Sequence, residues 1–151
     1  MLPLSKLHAA AGGVAMATIC GLQATILAHE LGGVPADIAA MRANILWVVA
    51  LVLLPAMAMV GGSGSKLGQG WKGAFVAQKR ARMKRVAALG LGLLVPLAAL
   101  LAWRASSGHT GADFVALTQL ERLAALVNLW LLGLNMRDGL AHARARKPAA
   151  A

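Results

Sequence analysis

The chain has 151 residues, of which 59% are apolar, 13% charged and 4% aromatic, whereas an ordinary soluble domain carries about 45–50% apolar and about 25% charged residues. That balance excludes a disordered chain and points away from a water-soluble globule. Fifteen Lys and Arg against five Asp and Glu give a net charge of +10, and the lone Cys20 excludes an intramolecular disulfide and any cysteine-rich zinc or iron–sulfur site.

A helix crossing a hydrocarbon core of about 30 Å needs roughly 20 predominantly apolar residues, and four such runs occur. The first predicted span, 7–28, holds no charge between Lys6 and the pair His29–Glu30. It is too long for a secretory leader and has only one basic residue ahead of it, so it is expected to be retained. Ala9, Gly13, Ala17 and Gly21, four residues apart, predict a face for close helix contact, with Gly12, Ala24 and Ala28 beside it. The second span, 43–61, is free of charge and carries Pro55, a kink site.

A basic loop over 62–85 follows, with Lys66, Lys72, Lys79, Arg80, Arg82, Lys84 and Arg85 and no acid. The glycine-rich stretch 61–73 is expected to lack regular structure. Residues 74–85 are expected to extend the next span as a helix whose basic turns lie over lipid headgroups. The third span, 86–103, is bounded by Arg85 and Arg104, contains Pro96, and offers Ala88, Gly92 and Pro96 as its small face. The fourth, 114–136, is interrupted by Gln119, Glu121, Arg122, Asn128 and Asn135.

Lys and Arg accumulate in cytoplasmic loops, which places 62–85 in the cytoplasm and the amino terminus with it. The connections 29–42 and 104–113 are close to neutral, as outer loops are. A crossing fourth span returns Arg137, Arg144, Arg146 and Lys147 to the cytoplasm. The expected architecture is one all-α domain, an integral membrane four-helix bundle with both termini cytoplasmic. Basic residues there attract anionic lipids at about 1 kcal/mol each, so the charge implies the bilayer as partner and requires no nucleic acid.

Glu121, Asn128 and Asn135 recur every seven residues, a step that drifts by only about 20° around a helix, so they share one face with Thr118. Gln23 in the first span is a candidate partner for Asn128, and Arg42 for Glu121. Two readings stay open: a hydrogen-bonded zipper that fixes the bundle's register, or a polar path for a proton, ion or small solute. Helical bundles with facing histidines can hold haem b, which makes His8 with His142, and His29 with His109, candidate ligand pairs. All four lie at or beyond the membrane boundary, so ordinary interfacial histidines, and no cofactor, are the expectation. No phosphate loop, HExxH, GxSxG or CxxC motif occurs, and no enzymatic activity is expected.

Two stretches, PAMAMVGGSGSKL (55–67) and LERLAALVNLWLLGLNMRDGL (120–140), resemble small four-span bacterial inner-membrane proteins of a family without an assigned activity. The resemblance covers residues 42–140 and implies a four-span fold in the bacterial inner membrane; it supplies no site residues. The expected role is that of a structural or accessory membrane subunit acting through helix contacts, with a membrane-protein partner or a second copy. A small transporter or channel and a b-haem electron carrier are the alternatives.

Overall fold

The computed structural model describes residues 3–32, 37–69 and 73–145. Helices α1 (Leu4–Glu30), α2 (Ile38–Leu67), α3 (residues 74–106) and α4 (Ala112–Ala145) account for nearly all of them, and the described residues contain no strand. Each of the four contains a stretch long and apolar enough to cross a membrane. The described ends of the chain lie at one end of the bundle, called here the terminal end, and the α1–α2 and α3–α4 connections at the far end.

The two middle helices are each interrupted once. In α2 a π turn, Val49–Leu53, separates Ile38–Val48 from Leu54–Leu67; in α3 a π turn, Gly90–Leu94, separates Ala74–Leu89 from Val95–Ser106. Pro55 and Pro96 follow these turns by two residues. Proline has no N–H for the helical ladder and its ring crowds the carbonyl four residues back, and a locally widened turn relieves both.

These turns let α2 change neighbour halfway along, while α3 keeps α4 throughout and adds α2 in its far half. The terminal half of α2 packs on α1 and its far half on α3, while the terminal half of α3 packs on α4. The backbones of the far halves of α1 and α2 are less closely packed, although Ile26 still clusters with Met41 and Ile45 between them. A shallow groove of about 320 Å³ opens between them, lined by Leu22, Thr25, Asn44 and Val48 among others.

Local signals set the helix ends. Asp37 caps α2, its Oδ1 accepting from the Ala39 N–H at 2.8 Å. After α3, Gly108 at φ 75° closes the helix: its N–H bonds the Ala105 carbonyl and the His109 N–H bonds that of Arg104.

The buried line of α1 is Ala11, Ala15, Ile19 and Ile26, whereas Ala9, Gly13, Ala17 and Gly21 are exposed. The expected small-residue seam thus faces outward. His8, Gln23 and Glu30 lie on the same side as Ala11 and Ala15, so bringing His8 to Ser63 and Glu30 to Arg122 turns the other side out. Ala88, Gly92 and Pro96 of α3 are exposed too, and Gly90 takes the inner position against Asn128.

Residues 61–67, expected to be irregular, are helical as the end of α2. Packing on α1 stabilises a run whose glycines disfavour helix on their own. The Ser63 hydroxyl also donates back to the Met59 carbonyl at 2.5 Å. As expected, Ala74–Leu89 carries α3 ahead of its apolar stretch.

Candidate functional site

The least apolar of the four helices is the most enclosed: 39% of the apolar stretch of α4 is buried, against 22% in each of the other three. Its Thr118, Glu121, Asn128 and Asn135 are all buried, while Leu123, Val127 and Trp130 on other faces are exposed, together with Trp47, Leu51 and Leu91 of the middle helices. Polar groups inside and large apolar side chains outside is the pattern expected of a multi-pass membrane protein.

At the far end Arg42 is 1% exposed. Its Nη1 lies 2.5 Å from Glu121 Oε2, and its Nη2 donates to Thr118 Oγ1 at 2.8 Å. The Thr118 hydroxyl in turn donates to the Phe114 carbonyl at 3.0 Å, and the guanidinium carbon stands 5.4 Å from the centroid of the Phe114 ring. Removing two charges from water costs several kcal/mol each, which only close contact and further hydrogen bonds offset; the cation–π contact adds to that offset. Arg42 Nε remains without a partner.

Two further ion pairs surround this one. Arg122 Nη2 lies 2.5 Å from Glu30 Oε2 and its Nη1 donates to Gln119 Oε1 at 3.0 Å, while Arg104 pairs with Asp113. Helix α4 is thus bonded to α1, α2 and α3 at this end, and each far-end arginine faces a carboxylate.

Gln23 and Asn128 do not pair directly. Gln23 Oε1 and Asn128 Oδ1 are both buried without a hydrogen-bond partner.

At the terminal end Arg82 is turned inward, away from the headgroup position expected for it. Its Nη1 donates to Asn135 Oδ1 at 3.3 Å and lies 2.7 Å from Asp138 Oδ2. The reason is the pair of acceptors on α4 facing this turn of α3, which a buried guanidinium satisfies better than a lipid surface would. Asp138 was missed in the sequence, although it stands three residues after Asn135 and so shares its face. Lys79 is half-buried beside Gly139, where a Cβ would come within 3.2 Å of Nζ. Lys66, Arg80, Lys84 and Arg85 are exposed, Arg80 also donating to the Gly68 carbonyl at 3.0 Å; Lys72 lies outside the described residues.

His8 Nδ1 lies 2.9 Å from Ser63 Oγ. Because the Ser63 hydroxyl donates to Met59, the imidazole N–H is the donor in this contact. Gly64 provides the space, since a Cβ there would stand 3.1 Å from His8 Cε1. Replacing Ser63 with Ala is expected to cost about 0.5–1.5 kcal/mol, read as a lower midpoint in a denaturant titration in detergent; an unchanged midpoint would contradict a stabilising bond. His29 sits near the end of α1 and His109 is exposed in the α3–α4 turn, while the side chain of His142 lies outside those described. Among the described residues no three His, Cys, Asp or Glu are grouped to hold a metal ion.

No family model, curated protein or solved structure matches the chain.

Proposed function

We propose that this chain is a multi-pass protein of the bacterial inner membrane, both termini cytoplasmic, that serves as a structural or accessory subunit by helix contact. The observation that carries the reading is the division of labour in the bundle. At both ends the inward polar residues are bonded to one another across helices, whereas the small-residue face of α1, with Ala9, Gly13, Ala17 and Gly21, takes no part in the fold. A face of small side chains admits another helix at short distance, where packing contacts in lipid accumulate. Closed pairs at both ends weigh for this role over a conduit.

The charge distribution supports the orientation. Apart from Asp138, every acid of the described residues is at the far end, where it stands among three paired arginines, and the other described Lys and Arg lie toward the terminal end. A basic end faces the cytoplasm and meets anionic headgroups there.

Extraction in mild detergent, followed by native mass measurement, tests the role. The expected species is larger than one chain of 15.5 kDa, containing a second copy or a subunit in fixed ratio, and it dissociates when Gly13 is replaced by Leu. A stable single chain with lipid alone would sink the proposal.

A further inference from the structure

Met16, Gln23 and Glu30 recur every seven residues along α1, as Glu121, Asn128 and Asn135 do along α4, so each set keeps to one face of its helix. The residues flanking Gln23 on that face are both turned into the bundle. Glu30 bonds Arg122 and Gln119, and Met16 packs on the core cluster that includes Ala125, Leu131 and Leu132. The helices run antiparallel, so Gln23, two turns before Glu30, lies at the level of Asn128, close to two turns after Gln119 and Arg122. A Cβ at Gly90 would come 3.8 Å from Asn128 Nδ2. The nitrogen of that carboxamide thus stands beside α3.

Asn128 is 3% exposed, and neither its Oδ1 nor Gln23 Oε1, both buried, has a donor. Buried acceptors of this kind are normally met by a donor from protein or from ordered water. We propose that Gln23 Oε1 and Asn128 Oδ1 together hold a single water molecule at the centre of the bundle, which donates one hydrogen bond to each. A water carries two donors and no charge. A metal cation would also suit two amide oxygens, but they give it no counter-charge, and the carboxylate two turns away, Glu121, is already committed to Arg42. A desolvated ion without a counter-ion is far more costly than a neutral guest.

Water-edited solid-state NMR of the isotopically labelled full-length chain in lipid vesicles tests this. The expected result is transfer of water magnetisation to the Gln23 and Asn128 carboxamides at mixing times that leave Ala125 and Leu132 silent, with identical spectra in sodium and choline buffers. In the Gln23→Leu variant the transfer to Asn128 is expected to fall at least several-fold. Absence of transfer to both carboxamides in the unaltered protein overturns the proposal, as does a direct Gln23–Asn128 contact without water. A sodium-dependent shift at either carboxamide overturns it in favour of a cation.

Discussion

Replacing Glu121 with Gln is expected to cost about 3–5 kcal/mol of stability, the loss that follows when one member of a buried ion pair is removed and the other stays charged. Arg42 has almost no route to water, being 1% exposed, and its remaining bond to Thr118 is neutral. The double replacement Arg42→Met with Glu121→Leu is expected to be near neutral or more stable than the parent, because it removes the desolvation cost along with the attraction. Unfolding titrations followed by circular dichroism in one detergent give both values. A double variant as unstable as the single one would mean that the pair itself holds the far end together, and not that its breakage leaves a stranded charge.

The second large effect separates the two faces of α1. Ala15 is fully buried, and Ala15→Leu forces extra methylenes into a filled contact at a cost of about 1–3 kcal/mol. Gly13 is exposed and a Cβ there meets nothing within 4 Å, so Gly13→Leu is expected not to lower the unfolding free energy, and to raise it by up to about 1 kcal/mol through helix propensity. Its effect belongs to association between chains. If Gly13→Leu unfolds the single chain and Ala15→Leu does not, the face assignment is reversed.

Much of the architecture was legible because a bilayer leaves few options. Uninterrupted apolar runs mark the four helices, and the seven-residue recurrence of Glu121, Asn128 and Asn135 marks the inward face of α4. Arg42 and Glu121 were matched by depth alone, each lying one to three turns inside the far end of its helix. Which side of α1 turns inward was not legible from its small residues, since both sides carry alanine and glycine. His8, Gln23 and Glu30 decide it, because polar groups in an apolar medium turn inward whatever the spacing of the glycines. Period and depth also give no warning that a proline with a π turn lets one helix serve two neighbours. Nor do they show that Arg82, in a run of basic residues, meets Asn135 and Asp138 and so leaves the surface.

The arrangement of ion pairs has a consequence for biosynthesis. Arg42 is made 79 residues before Glu121, so the nascent chain carries an unmatched guanidinium at the rim of its second segment until the last one emerges. On insertion scales a guanidinium is penalised by about 2.5–3.5 kcal/mol at the helix centre and by less toward the rim, so the growing chain lowers the penalty by holding Arg42 near the interface. Arrival of the fourth segment then supplies Glu121 as the counter-ion. The last piece synthesised is in this sense the keystone of the far end: a ribosome stalled before it leaves three segments that pack on one another through the second but lack the carboxylates and arginine that the fourth supplies there.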